Sequence, residues 1–285
     1  MFIVRFAVFL GFLVISVPAV FAQPKDPNKI QQDLEALAWQ RGPTEASIGG
    51  LATVNVRDHQ AFLDGPNTRR FLELAGNPPR DNHYTLVGPD MAWFAVFSFN
   101  DSGYVQDNEK LDADALLKGL QESDKPGNEE RKRLGMSPLY TDGWHVPPRY
   151  DPATKRLEWG LRLRDDDGHQ TINYTVRLLG RRGVMKATLV SDPQHLDQHT
   201  ADFKTALTGY SFVAGERYSE FRSGDRIAEY GLAALVLGGA AVVATKTGFI
   251  KAFGKLIVIG VVALGSAIAA VFRRVSRREP DHRVG

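Results

Sequence analysis

Residues 156–190 read RLEWGLRLRDDDGHQTINYTVRLLGRRGVMKATLV, and this stretch decides the fold class. Leu157, Trp159, Leu161 and Leu163 alternate with Arg156, Glu158, Gly160, Arg162 and Arg164, the period of two that a half-buried strand shows. Asp165, Asp166, Asp167 and Gly168 interrupt the pattern as turn residues do. Beyond them Ile172, Tyr174, Val176 and Leu178 alternate with Thr171, Asn173, Thr175 and Arg177. The two runs predict a β-hairpin. Gly180-Arg181-Arg182-Gly183 turns the chain into a third run over residues 184–190. The expectation is an antiparallel meander with one polar face, and helices packed on the other.

The flanks extend this to an α+β class. Upstream, residues 52–56 and 93–99 are rich in β-branched and aromatic side chains and read as strands. Residues 67–74 read as a helix capped by Asn67 and stopped by Gly76 and Pro78-Pro79. A short helix is expected around residues 31–39, and two more over 112–120 and 128–134, separated at Gly127. Downstream, residues 197–207 give a helix, with Leu196, Phe203 and Leu207 on its apolar side, and 210–213 a closing strand. No internal repeat is visible. The fold expected is an antiparallel sheet with helices on it, a periplasmic α/β sandwich in outline.

Composition bounds the class. With 43% hydrophobic and 24% charged residues and no cysteine in 285, the chain is neither collagen-like, disordered nor disulfide-stapled. The formal charge of +2 conceals an asymmetry: residues 23–245 carry 26 Lys and Arg against 31 Asp and Glu, and residues 246–285 carry 8 against 2. A mildly acidic body and a basic end do not suit nucleic acid, and none is expected as a partner.

The ends point to a membrane. Residues 1–22 combine Arg5, an apolar run over 6–17 and the small-residue pattern Val20-Phe21-Ala22, the three parts of a secretory signal. Residues 256–272 (LIVIGVVALGSAIAAVF) are 17 without a charge, bracketed by Lys255 and by Arg273, Arg274, Arg277 and Arg278, which predicts a transmembrane helix with the tail kept in the cytoplasm. Residues 231–245 (GLAALVLGGAAVVAT) are a second apolar run, followed by Lys246, Lys251 and Lys255. One crossing is favoured over a hairpin, because a hairpin would export the arginine tail against the charge rule. The hairpin would pack through Gly238-Gly239, and a surface helix is a further reading. The three lysines and four arginines fit the membrane interface and anionic lipid. The expected organisation is therefore a signal (1–22), a leader (23–43), an exported α+β domain (44–224), an apolar anchor region (225–272) and a basic tail (273–285). The domain is expected to lie outside the membrane, with the bilayer as partner.

Candidate chemistry is sparse. His195 and His199 are four apart, share a helix face and have Asp192, Asp197 and Asp202 nearby, so they form a candidate zinc pair that lacks a third ligand in sequence; a solvated helix face is the alternative. Asp165–Asp167 lack the alternation of a calcium loop and suit a turn. No nucleophile elbow, phosphate loop or dinucleotide fingerprint occurs, and no cofactor is expected. Trp144, Tyr150, Trp159 and Tyr174 read first as core-packing aromatics; the functional reading is that Trp144, His145, Arg149 and Tyr150, with Pro147-Pro148, form a polar, aromatic loop that binds a ligand on a rigid sheet.

A scattered set of residues carries a family resemblance: Gly103-Tyr104-Val105, Asp112-Ala113-Asp114-Ala115-Leu116-Leu117, Gly143-Trp144, Pro148-Arg149-Tyr150-Asp151 with Thr154, Leu157-Glu158-Trp159, Asn173-Tyr174, and Leu179-Gly180-Arg181 with Gly183. The chain resembles the bacterial uncharacterised membrane-anchored proteins with domain of unknown function 2167. The resemblance implies location, outside a bacterial inner membrane, and domain identity, and carries no reaction, ligand or catalytic residue. The closing helix and the strand Tyr210-Ser211-Phe212-Val213 are also similar to small α/β sandwich domains of the PsbP-like group, a likeness of fold alone. The leading expectation is an anchored envelope domain that binds a protein, peptide or small molecule. The alternatives are a hydrolase or metal-dependent enzyme using His195 and His199, and a membrane-active scaffold or sensor.

Overall fold

The computed structural model describes residues 27–75, 79–133 and 137–238. The chain runs α1 (Pro27–Glu35), β1 (Gln40–Arg41), β2 (Thr44–Ile48), β3 (Ala52–Val56), β4 (Ala61–Leu63), α2 (Gly65–Leu74), β5 (His83–Val87) and β6 (Trp93–Asn100). It continues through α3 (Ala113–Arg133), β7 (Tyr140–Asp151), β8 (Arg156–Arg164), β9 (Gln170–Leu179), β10 (Val184–Ser191), α4 (Leu196–Leu207), β11 (Tyr210–Phe212) and α5 (Leu232–Leu237). Eight strands form an antiparallel sheet in the order β1-β4-β5-β6-β10-β9-β8-β7, and β11-β3-β2 form a second, three-stranded sheet. The class is α+β, as the meander implied.

The first face of the large sheet is covered by the small sheet and α4. Trp93, Ala95 and Phe97 of β6, Tyr174, Val176 and Leu178 of β9, and Met185, Ala187 and Leu189 of β10 meet Ile48, Val54, Val56, Phe203 and Leu207 there. Phe203 is fully buried and stands edge-on to Trp93 with centroids 5.9 Å apart. Gly183 lets β10 start tight against β6, since a Cβ there would sit 2.1 Å from the Asn100 carbonyl oxygen.

The second face corrects the expectation of a polar side left to water. The hairpin forms, but its register sets Leu157 beside Arg177 and Trp159 beside Thr175. The apolar stripe of β8 and the polar stripe of β9 therefore share a face, and the hydrophobic side changes from one face to the other between neighbouring strands. A sheet built so needs cover on both sides. α3 and α5 pack over Leu157 and Trp159, and α1 and α2 pack over Leu63, Val87, Phe94 and Val96. Between these two patches the second face carries a polar strip, Thr175 and Arg177 of β9 beside Lys186 and Thr188 of β10.

Three local readings also change. Residues 112–134 were expected as two helices, yet α3 is one helix of 21 residues with Pro126 inside it. Tertiary bonds hold it on both sides of the proline: Asp124 accepts from the Thr141 amide (2.7 Å), and Asn128 exchanges two bonds with Leu139 (2.8 and 2.9 Å). The cap of α2 is Asp64, which accepts from the Asn67 amide, so Asn67 lies inside the helix rather than at its start. The expected loop over residues 143–151 is β7, an edge strand with three register shifts.

α5 takes up the start of the second apolar run. Leu232, Ala234, Leu235 and Val236 are buried in the protein, and Gly238 ends the helix at φ +106°. Among the described residues no helix is long and apolar enough to cross a membrane. The signal (1–22), residues 256–272, and Lys246, Lys251, Lys255, Arg273, Arg274, Arg277 and Arg278 lie outside the described residues.

Candidate functional site

A cleft of about 280 Å³ opens at the end of the sheet where β7 turns into β8. Its shape starts from that turn. Asp151 accepts from the Ala153 amide (2.9 Å) and the Thr154 hydroxyl (2.7 Å), and Lys155 takes the left-handed conformation at φ +54°. The turn thus projects Lys155 and Arg156 toward β11 and the segment after it, where Tyr210, Phe212, Arg217 and Tyr218 complete the wall. Three lining side chains are cations, and among the described residues none of its lining is a carboxylate.

Lys155 is already satisfied. Its ammonium donates to Asp107 Oδ2 (2.7 Å), which also accepts from the Tyr150 hydroxyl (2.6 Å). Burial opposes the charge on Asp107, but the bonds from Lys155 and Tyr150 outweigh it and hold the carboxyl below its usual range. Burial, then Asp107, raises the Tyr150 phenol. Lys155 also lies 4.9 Å over the Tyr218 ring, which stacks on Tyr104 at 4.3 Å. This knot fixes one wall.

The opposite wall is less satisfied. The Arg156 guanidinium donates to the Leu207 carbonyl, yet its Nε is buried with no partner. The Tyr210 hydroxyl is likewise buried and unpartnered, and burial holds its phenol far above the usual range. Buried polar atoms are nearly always paired, so two unpaired ones on one cleft mark where a polar ligand group would be stabilised.

The structure scatters most of the residues singled out from sequence. Trp144 turns to the helical face and donates from Nε1 to the Ala113 carbonyl (3.0 Å). His145 turns to the other face and meets Asp197 at 2.9 Å. Arg149 is paired opposite Glu158 across the β7–β8 ladder. Tyr150 alone of the four adjoins the cleft, through Asp107 and Lys155. Successive strand side chains point to opposite faces, so once the segment is a strand its aromatic and basic residues cannot converge.

His195 is exposed and His199 is buried, with ring centroids 5.7 Å apart. His199 Nδ1 is 2.6 Å from the Ser191 hydroxyl, tying α4 to the end of β10, and burial followed by His195 lowers its pKa. Among the described residues three ligating groups converge elsewhere: Asp165, Asp167 and His169 lie within 4.8 Å at the β8–β9 turn. His169 bonds Asp165 there through its amide (2.8 Å) and ring (3.1 Å), which is the turn's own geometry.

The cleft residues Lys155, Arg156, Tyr210, Arg217 and Tyr218 carried no signal in sequence as a group, because they come from two distant segments. Asp151 and Thr154, within the family-like motif, were the available pointers, since they build the turn that presents Lys155.

Fold and cleft together define an antiparallel α+β domain with a cationic cleft at one end of its sheet. The chain belongs to the family described as protein of unknown function (DUF2167), whose model matches residues 40–269. No curated protein matches it. Among solved structures it is similar to the solution structure of cyanobacterial PsbP (CyanoP) from Synechocystis sp. PCC 6803, at 9% identity over 62% of this chain and 93% of that chain, with a TM-score of 0.35.

Proposed function

We propose that the chain is an envelope binding domain, exported by its N-terminal signal and held at the inner membrane by residues 256–272, whose cleft takes the carboxylate of a peptide or small molecule. The observation that carries the binding half is the cleft itself: Arg156 Nε and the Tyr210 hydroxyl are buried and unpaired beside Arg217, with Leu178, Leu179 and Phe212 supplying apolar wall. A charged donor set next to an apolar surface suits an organic anion with a hydrophobic body.

Two points support the anchor. The family model runs to residue 269 and so includes most of the 256–272 run. α5 buries residues 232–237 in the body, leaving 239–245 of the earlier apolar run. At about 1.5 Å per residue those seven rise only ~10 Å, against the ~30 Å of a bilayer core. That favours one crossing with the arginine tail in the cytoplasm.

The test is a titration of the full chain, in neutral nanodiscs, with tetrapeptides ending in Leu or Phe as free acids and as amides. Free acids are expected to bind at least tenfold tighter, with the preference lost in Arg156→Met. Equal affinity for acid and amide, or an unchanged preference in Arg156→Met, refutes the assignment. A reporter fused after Gly285 that works only outside the cytoplasm refutes the single crossing.

A further inference from the structure

The polar strip between the two helical patches is part of a row of polar side chains that crosses four strands. The register sets His83 beside Ser98, Ser98 beside Lys186, and Lys186 beside Arg177. Directly opposed residues of antiparallel strands have Cα atoms about 4.5–5.5 Å apart, so Lys186 and Arg177 are nearest neighbours of like charge in the middle of the sheet. Arg80, just ahead of β5, is near enough to act on both Lys186 and His83. Like charges directly opposite one another destabilise a sheet.

Among the described residues no carboxylate acts on Lys186, Arg177 or Arg80. The charged groups acting on Lys186 are Arg177 and Arg80; on Arg177 the phenol of Tyr230 acts, and on Arg80 burial alone. Asp81, the one carboxylate felt by His83, is paired with Arg69 at 2.6 Å. Arg177 has a long contact to the Leu235 carbonyl (3.5 Å) and lies 5.9 Å from the Trp159 ring, while its Nε is buried with no partner. The hydroxyl of Thr188, two residues along β10 from Lys186 and on the same face, is also buried and unpartnered. Burial, then Arg177 and Arg80, pushes the Lys186 ammonium down to about 7. Among the described residues three basic side chains and two unsatisfied polar atoms thus come together with no carboxylate set against them.

We infer that this polar strip is a binding site for a phosphate group, held between Lys186 and Arg177 with Arg80 beside them and the Ser98 and Thr188 hydroxyls as neutral donors. A tetrahedral oxyanion suits this set better than a planar carboxylate. Arginine and lysine presented from adjacent strands, with hydroxyls on either side, supply donors in several directions, and a charge approaching −2 offsets more than one cation. The site shares no residue with the β7–β8 cleft and stands whether or not that cleft binds a carboxylate. The phosphate could belong to a soluble molecule or to a lipid headgroup, because α5, which touches Arg177, leads into the segment expected to reach the membrane.

The experiment uses the full chain in nanodiscs of phosphatidylcholine, following thermal unfolding while inorganic phosphate replaces chloride at constant ionic strength. A rise of about 5 °C is expected at saturation, absent in Lys186→Met and in Arg177→Met and kept in Lys186→Arg. In a second arm a third of the lipid is phosphatidylglycerol and no phosphate is added. A rise with phosphate assigns a soluble ligand, and a rise only with phosphatidylglycerol assigns the lipid. No rise in either arm refutes the site, as does a rise undiminished in folded Lys186→Met. Should both methionine variants fail to fold, 31P line broadening of phosphate by the wild-type chain, or a rise with phosphatidylglycerol that Lys186→Arg retains, decides in favour. Absence of both decides against.

Discussion

Replacing Lys186 by Met should make the protein more stable, in a way that depends on pH. The ammonium is lowered from an ordinary 10.5 to about 7, by burial first and then by Arg177 and Arg80. The unfolded chain therefore binds a proton that the folded chain resists. Below pH 7 the lysine is protonated in both states and the folded state bears the full cost; between 7 and 10.5 the cost falls as the folded lysine gives up its proton; above 10.5 it vanishes. A shift of 3.5 units corresponds to an upper bound of about 5 kcal/mol. Lys186 and Arg177 are only partly buried, so about 2–3 kcal/mol is the expected gain, within the range seen when buried charges are replaced by apolar side chains. For a domain of this size that is a rise of roughly 5–10 °C in the unfolding midpoint. The other groups facing Lys186 do not reverse the sign: burial lowers Arg177 to about 10 and lowers Arg80, so Arg177 loses charge only at the alkaline end, where the cost at Lys186 is already falling; His83 is pushed down by burial, and Tyr230 faces Arg177. The assay is calorimetry of both chains from pH 6 to 10 in phosphate-free amine buffers. If Lys186→Met is the less stable chain at pH 6, or if the difference is flat across the range, the reasoning is wrong.

Two further outcomes follow from the structure. Phe203→Ala empties the fully buried site against Trp93 and should cost about 3–5 kcal/mol in urea unfolding; a loss below about 1 kcal/mol would place the core of α4 elsewhere. Asp225 is held at about 2 by bidentate bonds from Arg181 (both 2.7 Å) and by the Arg222 amide. Its contribution to stability is present above the ordinary 3.8 and is lost as pH falls through 2, so Asp225→Asn should flatten the acid limb between those values; circular dichroism of both chains in an acid titration reads this, and an unchanged limb counts against the pair.

What sequence could reveal follows the range of the interactions concerned. The alternation in residues 156–190 is a local signal, and β8, β9 and β10 lie where it put them. It fixes which side chains of one strand share a face, but it does not fix how the faces of two strands combine. That depends on the turn and register, and the Leu157–Arg177 pairing placed the two apolar stripes on opposite sides. Gly127 reads as a break because local propensity disfavours a helix there; the bonds that Asp124 accepts from Thr141 of β7 and Asn128 from Leu139 just before it override that propensity. Trp144, His145, Arg149 and Tyr150 drew attention as a composition, and a β-strand divides such a composition between two faces. The cleft and the polar strip are both assemblies of distant segments, so their residues carried no shared motif.

The crossing of the apolar side between β8 and β9 accounts for the polar strip as a consequence of one sequence choice. On the second face, β8 offers Leu157 and Trp159 to α3 and α5, and β6 offers Phe94 and Val96 to α1 and α2. Apolar residues at the intervening positions of β9 and β10 would have let the helical cover close over the sheet. Those positions are Thr175 and Arg177 on β9 and Lys186 and Thr188 on β10, consecutive same-face residues on two central strands. Sheet interiors seldom tolerate unpaired charge, and burying these groups works against stability. The gap between the helices is therefore specified by residues that oppose folding, and a bound anion is the partner that would reverse their sign.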